Sequence, residues 1–138
     1  MKAFKVNIVT PEKVAWEAEA VSVILPGSDG YLGIWANHAP LVTGLLPGVI
    51  SIKLDESGSA RYLACSGGFL EVSHNEVNIM IDACEEADAI DVDRARAALE
   101  RAKERLSSRD AEVDKERAMV ARDRAEARLK VMDLMQRH

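Results

Sequence analysis

Four arginines in the C-terminal part of the chain have the spacing of a polyphosphate clamp. Arg94 and Arg101 are seven residues apart, and Arg124 and Arg128 are four apart, so each pair shares one face wherever the chain is helical. Guanidinium groups hold phosphate oxygens through charge-assisted, often bidentate hydrogen bonds. If the two helix faces converge, the four cations can together hold a triphosphate.

The competing interpretation of these charges is an ordinary solvated helix surface. Residues of opposite charge also recur four apart, and such pairs make an exposed helix soluble without forming a site. These pairs are Arg96–Glu100, Arg122–Glu126 and Glu126–Lys130. The residues alone leave the clamp and the solvated surface as alternatives.

Catalytic and metal-binding patterns are missing from the sequence. His38 lies between Asn37 and Ala39, and no nucleophile or carboxylate stands near it at a recognisable spacing, which favours a hydrogen-bonded loop histidine. The three histidines and two cysteines match no zinc-binding spacing. The chain also lacks the glycine-rich phosphate loop of an ATPase. We therefore predict no active site and no metal, and a chain that is not an enzyme on its own.

The elements that position the arginines are predicted from a change of sequence period. All eight Gly and all four Pro lie at or before Gly68, so the residues that usually end helices are absent from the C-terminal part. Asp91 is a suitable N-cap for a first helix. Apolar residues then recur at spacings of three and four, at Val92, Ala95, Leu99, Ala102 and Leu106.

A second helix is predicted from about residue 113 to residue 136, after a break at 107–110. One of its faces carries Ala118, Ala121, Ala125 and Met132, with Val120, Ala127, Val131 and Leu134 beside it. Alanine lets two helices approach closely, which favours an antiparallel hairpin. Because a buried CH₂ contributes only about 0.8 kcal/mol and alanine has few carbons to bury, we expect a weakly held hairpin that can change shape.

The N-terminal part reads as short strands separated by turn residues. We predict strands at Phe4–Val9 and at residues 20–25, 49–54, 61–65, 69–72 and 77–81, and an exposed loop at 30–41. Short strands that recur in this way are typical of an antiparallel β-sandwich or flattened barrel. The predicted fold is thus β plus α, with a sandwich at 1–87 and a helical hairpin at 88–138.

Charge is unevenly distributed along the chain. Residues 1–89 hold 5 Lys and Arg against 12 Asp and Glu, and residues 90–138 hold 13 against 11, so the net charge of −5 is −7 plus +2. A mildly basic tail suits nucleotide phosphates or an acidic protein surface, but it is too balanced for a nucleic-acid arm. Neither an apolar leader nor a membrane span of roughly 18–20 apolar residues is expected. Cys65 and Cys84 are expected to be buried, reduced thiols.

Three segments in order resemble the epsilon subunit of F-type ATP synthases. They are GYLGIWANHAPL at 30–41, SGGFLEV at 66–72, and the helical tail. The resemblance extends over essentially the whole chain. It implies a non-catalytic central-stalk subunit, one copy per complex, which couples proton translocation to ATP synthesis. It also implies a peripheral protein on the cytoplasmic side of the cell membrane.

The resemblance implies partners as well. The sandwich would dock on the gamma subunit and on the membrane ring, and an extended hairpin would reach the alpha and beta subunits and resist ATP hydrolysis. Many bacterial members have an acidic residue, which lies near the ring, where this chain has Tyr31. Leu-Pro or Tyr-Pro is common where this chain has Trp35 and Ala36. We therefore expect the same docking region with more aromatic contacts.

A regulatory ATP site is a further implication of the resemblance. Residues 90–95 (IDVDRA) match the Ile/Leu-Asp-x-x-Arg-Ala motif of ATP-binding family members. The implied ATP-binding residues are Glu85, Ile90, Asp91, Arg94, Ala95, Arg101, Arg124 and Arg128. The two carboxylates would accept from the adenine amino group or orient the arginines, and ATP would stabilise the folded hairpin. The alternative function is a free-standing ATP-sensing module without a rotary partner.

Overall fold

The computed structural model describes residues 2–12 and 14–137, in which ten strands precede two helices. The strands are β1 (Phe4–Val9), β2 (Val14–Ala20), β3 (Ser22–Gly27), β4 (Gly30–Ile34), β5 (Leu41–Leu45), β6 (Gly48–Lys53), β7 (Ala60–Cys65), β8 (Gly68–Ser73), β9 (Glu76–Ile81) and β10 (Cys84–Glu86). The helices are α1 (Val92–Ser107) and α2 (Lys115–Arg137). The predicted combination of a β-sandwich and a two-helix hairpin is confirmed.

The strands form one sheet that closes around an aliphatic core. Their order is β10-β7-β6-β3-β5-β8-β9-β1-β2, with β4 paired to β3. Among the strands described, every pairing is antiparallel except that of β1 with β9, which is parallel. Strands β1 to β9 all contribute to the core. Its largest fully buried side chains include Ile8, Leu25, Ile34, Ile50, Ile52, Leu63, Leu70 and Ile79.

Sheet pairing adds strands that the sequence pattern does not reveal. The predicted loop at 30–41 is wrong at its start, because residues 30–34 form β4 and pair with β3 from Gly27↔Gly30 to Val23↔Ile34. Strands β2, β5 and β10 were also not predicted. Glycine disfavours strands in isolation, but hydrogen bonds to a neighbouring strand override that weak preference.

The double glycine at the start of β8 has a steric reason. Gly67 has a φ of +104°, which is a backbone conformation that glycine adopts at little cost. A Cβ added to Gly68 would lie 2.1 Å from the carbonyl oxygen of Met80 in the paired strand β9. The second glycine therefore allows β8 and β9 to approach each other at the entry to the strand.

Aspartates begin both helices. The carboxylate of Asp91 accepts the backbone N–H of Arg94 at 3.1 Å, as predicted. Helix α2 begins at Lys115, two residues later than predicted, because the carboxylate of Asp114 accepts the N–H of Arg117 at 3.1 Å. An acceptor at the N-cap satisfies an N–H that has no partner within the helix.

Helix α2 lies between α1 and the sheet. It packs on α1 and, on another side, on β6 and β7. Ala95 and Ala102 of α1 and Ala118 and Ala125 of α2 are buried, as the alanine faces predicted. Ala121 was expected on that face but is exposed, because its spacing puts it on the side of α2 that carries Arg124 and Arg128.

Lys115 closes the turn between the helices. Its ammonium group donates to the carbonyl oxygens of Arg105 (2.8 Å), Leu106 (3.0 Å) and Ser108. The carbonyls of Arg105 and Leu106 lie in the last turn of α1, where the Arg105 carbonyl also accepts the N–H of the C-cap residue Ser108 at 3.2 Å. A cation at this end of the helix interacts favourably with the helix dipole.

We expect Lys115→Met to loosen the hairpin locally, by on the order of 1–2 kcal/mol, because it keeps the aliphatic stem and removes the donor. Native-state hydrogen exchange should report faster exchange at both ends of the turn. Lys103→Met is the matched control, since Lys103 is exposed and forms no hydrogen bond or ion pair within the described residues. Equal exchange in the two variants would contradict a capping role for Lys115.

Candidate functional site

A cavity of about 480 Å³ lies between the edge of the sandwich and both helices. Ligand pockets in proteins commonly measure about 300–1,000 Å³, so the cavity is large enough for a small molecule. Its lining consists of Ala83, Glu85, Ala89, Asp91, Arg94, Ala95, Ala98, Arg101 and Arg128. The strand β10, the segment before α1, and one face of each helix therefore all contribute walls to the same cavity.

Six of the eight predicted site residues line this cavity, namely Glu85, Asp91, Arg94, Ala95, Arg101 and Arg128. Arg124 lines a much smaller cleft, which adjoins the cavity through the shared residues Ala83, Glu85 and Arg128. Ile90 is outside the lining. It is buried in an apolar cluster with Val49, Ala64, Ala127 and Val131. Burial of Ile90 therefore anchors the segment that carries Asp91 to the sandwich and to α2.

The arginines of α1 reach the cavity without competing ion pairs. Arg94 and Arg101 are exposed. Within the described part of the chain, no carboxylate lies within 4.0 Å of the guanidinium groups of Arg94, Arg101 or Arg124. Their hydrogen-bond donors are thus available to an anion. Asp91 marks the N-terminus of α1 at the same cavity, and helix N-termini favour negative charge.

Arg128 differs from the other arginines because it is already paired. Its Nε donates to a carboxylate oxygen of Glu85 at 2.5 Å, and the two side chains are 36% and 32% exposed. The contact joins α2 to β10. An incoming anion would compete with Glu85 for this guanidinium. The carboxylate of Asp91 also has a partner already, because it accepts the backbone N–H of Arg94.

Three alanines that were not predicted as site residues leave space in the cavity for a ligand. Ala83 and Ala89 line the sandwich side, and Ala98 lies on α1 between Arg94 and Arg101. Ala98 is four residues after the first arginine and three before the second, so all three share one face. In the sequence, the spacing of this alanine between two arginines on one helix face could have predicted that Ala98 lines the site.

A second surface feature is a row of apolar side chains across neighbouring strands, here named the outer apolar row. Strand register aligns Phe69 of β8 with Met80 of β9, then with Val9 of β1 and Val14 of β2. Directly opposed residues share a sheet face. Phe69 is 60% exposed. On β5 its register partner is Gly44, and Val42, 73% exposed, lies diagonally from Phe69, opposite Glu71. A contiguous exposed apolar surface is typical of an interaction site.

His38 and Tyr31, both in segment 30–41, form hydrogen bonds with the backbone. His38 donates from Nδ1 to the carbonyl oxygen of Ala39 at 2.6 Å, which confirms a hydrogen-bonded loop histidine. The hydroxyl oxygen of Tyr31 accepts the N–H of Val49 at 3.0 Å, while the side chain remains 60% exposed. Tyr31 thus stands at the sandwich surface, where it lines a separate cavity of about 300 Å³ together with Lys130 of α2.

Sequence comparison matches both parts of the chain to one family. The model of the ATP synthase delta/epsilon chain beta-sandwich domain matches residues 3–87, and that of the delta/epsilon long alpha-helix domain matches residues 88–133. The chain belongs to the ATP synthase delta/epsilon family. The resemblance found in the sequence is thereby confirmed.

Individual relatives of this epsilon-family chain agree in length and fold. The ATP synthase epsilon chain of Desulforamulus reducens is 43% identical over 132 residues, which cover 96% of this chain and 98% of the relative. That of Moorella thermoacetica is 47% identical over 130 residues, 94% and 96% of the two chains. A chain in the mitochondrial ATP synthase of Euglena gracilis superposes with a TM-score of 0.81 at 22% identity, covering 94% of this chain and 81% of that one. It shares the fold.

Neither α1 nor the described length of α2 is apolar enough to cross a bilayer.

Proposed function

We propose that this chain is the non-catalytic central-stalk subunit of an F-type ATP synthase, in which it couples proton translocation to ATP synthesis. The observation that carries the proposal is 43 to 47% identity with ATP synthase epsilon chains over nearly the whole length of both proteins. A solved structure of similar fold comes from the central stalk and ring of the Tetrahymena thermophila mitochondrial ATP synthase. We prefer this function to a free-standing ATP-sensing module for the same reason.

The outer apolar row supports docking of the sandwich on a partner. Phe69 and Met80 expose apolar side chains side by side, and exposed Val42 lies diagonally from Phe69 on β5. We propose that this row meets the gamma subunit and that the region around Tyr31 and Trp35 meets the membrane ring. The subunit would then be peripheral, on the cytoplasmic side of the membrane, and would not insert into the lipid.

The seat of the hairpin supports a two-state tail. Helix α2 rests on the sandwich through a cluster whose buried members are Val49, Ala64, Ile90, Ala127 and Val131, with Tyr62, Ala87, Met132 and Leu134 partly buried against it. This cluster is smaller than the core of the sandwich, and each buried CH₂ contributes about 0.8 kcal/mol, so the hairpin is held more weakly than the strands. We propose that the released hairpin extends toward the alpha and beta subunits and inhibits ATP hydrolysis.

The same site supports ATP as a regulatory ligand of the folded state. The cavity has one wall from the sandwich, at Ala83 and Glu85, and others from Arg101 of α1 and Arg128 of α2. Only the folded hairpin brings these walls together. A nucleotide that needs all of them has different affinities for the two states, and it therefore shifts the population toward the folded one.

Truncation after Ala89 tests the regulatory role. We expect the shortened chain to assemble into a coupled ATP synthase whose rate of ATP hydrolysis is higher than that of the full-length complex, because the sandwich keeps its docking surfaces and only the inhibitory helices are lost. Hydrolysis and proton pumping by reconstituted complexes are the measurements. A truncated chain that does not assemble would mean that the hairpin is part of the docking surface.

A further inference from the structure

Two cysteines face each other across the edge of the sheet. Cys65 of β7 and Cys84 of β10 are direct register partners, and they are not disulfide-bonded. Opposed residues in antiparallel strands have Cα atoms about 4.5 or about 5.5 Å apart, and disulfides form over Cα separations of about 4.4–6.8 Å. Either kind of pair therefore meets the Cα requirement, and the Cβ atoms of opposed residues, about 4.5–5.5 Å apart, must approach to about 3.5–4.5 Å.

The environments of the two thiols differ in access to solvent. Cys65 is 2% exposed within the main core, and its sulfur accepts the N–H of Gly67 at 3.3 Å. Burial raises the pKa of the Cys65 thiol, and the nearby Cys84 adds to the rise. Cys84 is only half-buried, contrary to the expectation of two buried thiols, and it lines a second cavity of about 340 Å³ with Trp16 and Leu63. A reagent therefore reaches Cys84 first.

We propose that Cys65 and Cys84 are a redox pair that closes to an intrachain disulfide by exchange with a low-molecular-weight disulfide. The Cys84 thiolate attacks one sulfur of the small disulfide, which forms a mixed disulfide and releases one small thiol. The Cys65 thiolate then attacks the Cys84 sulfur, and the second small thiol leaves. Two electrons pass from the protein to the small disulfide, and the two protein protons end on the released thiols.

The charge around Cys84 selects the reagent. Carboxylates dominate the cavity that Cys84 lines, and they are Glu12, Asp82, Glu85, Glu86 and Asp88. They attract cations and repel anions at short range. A cationic disulfide such as cystamine should therefore react faster than oxidised glutathione, which is anionic.

The cross-link would act on a short edge strand. β10 has three residues, ends the sheet order, and is paired with β7. It also carries Glu85, whose carboxylate contacts Arg128 at the other cavity. Tying β10 to β7 would suppress local opening of the edge, and hydrogen exchange of residues 83–89 should slow when the pair is oxidised.

The test uses the full-length chain under native conditions. After incubation with cystamine and alkylation in denaturant, intact-mass spectrometry should find wild-type monomer without adducts, lighter by two hydrogens and with both thiols blocked from alkylation. Cys65→Ala should stop at a mixed disulfide on Cys84. Cys84→Ser should leave Cys65 unreacted, because the remaining thiol is buried.

Three results would overturn the proposal. Stable cystamine adducts on the wild-type chain would mean that the second step does not occur, and disulfide-linked dimers would mean that the partner thiol lies in another molecule. Reaction only in denaturant would mean that Cys84 is not accessible in the fold. Oxidised glutathione reacting as fast as cystamine would contradict entry through the acidic cavity.

Discussion

Replacing Arg101 or Arg128 with alanine should weaken ATP binding by roughly ten- to a hundredfold. One residue comes from each helix, and a phosphate group between them needs both. Hydrogen bonds to charged groups contribute about 1.5–3 kcal/mol each, and every 1.4 kcal/mol or so is a tenfold change in affinity. Calorimetric titration of the intact chain with ATP is the measurement, and unchanged thermal unfolding should accompany it because both side chains are partly exposed.

Arg96→Ala is the control for charge alone. Its side chain is 70% exposed, lies outside the cavity lining, and approaches Asp93 at 4.0 Å instead of the Glu100 partner that the sequence suggested. ATP binding should hardly change. Equal losses for Arg96, Arg101 and Arg128 would indicate a diffuse basic surface, and a parent chain that binds no ATP would remove the site.

Arg124→Ala gives a finer test of the geometry. The structure places this residue in the adjoining cleft and not in the main cavity, so its loss should be smaller than that of Arg101 or Arg128. A loss as large as theirs would mean that a bound nucleotide extends into the cleft.

Phe69→Glu should prevent incorporation of the chain into the ATP synthase. Phe69 is the aromatic residue of the outer apolar row, next to Met80 in register and 60% exposed. Removal of an aromatic anchor from an interface commonly costs about 2–4 kcal/mol of binding free energy. A carboxylate in its place would in addition be buried without a partner. We expect at least a hundredfold loss of complex in co-purification with the gamma subunit.

The matched control for Phe69→Glu is Met119→Glu. Met119 is also exposed, at 46%, but it lies on α2, which the truncation experiment treats as dispensable for assembly. Both variants should fold, because neither side chain is part of the buried core. Normal co-purification of Phe69→Glu would exclude the outer apolar row as the docking surface.

Local patterns in the sequence were sufficient for elements that depend on neighbouring residues. The alternation of Phe4, Val6 and Ile8 predicted β1, and the structure confirms it, with all three side chains buried. Asp91 predicted the start of α1, because a cap needs only a side chain three residues before the N–H that it accepts. Helical spacing also predicted that Arg94 and Arg101 would share a face, and both line the cavity.

Contacts between distant segments decided the rest. Strand β10 exists because β7 offers it hydrogen bonds, and residues 66–83 separate the two strands, so no short window of sequence contains the pairing. Strand β4 is different, because only residues 28 and 29 separate it from β3, with which it forms a local hairpin. The sequence by itself therefore determined the family, the fold class and the arginine spacing of this protein. Only the tertiary structure decided which arginines share a cavity, that Ile90 is buried in an apolar cluster outside its lining, and that Cys65 and Cys84 are register partners. Each of these depends on which surfaces pack together.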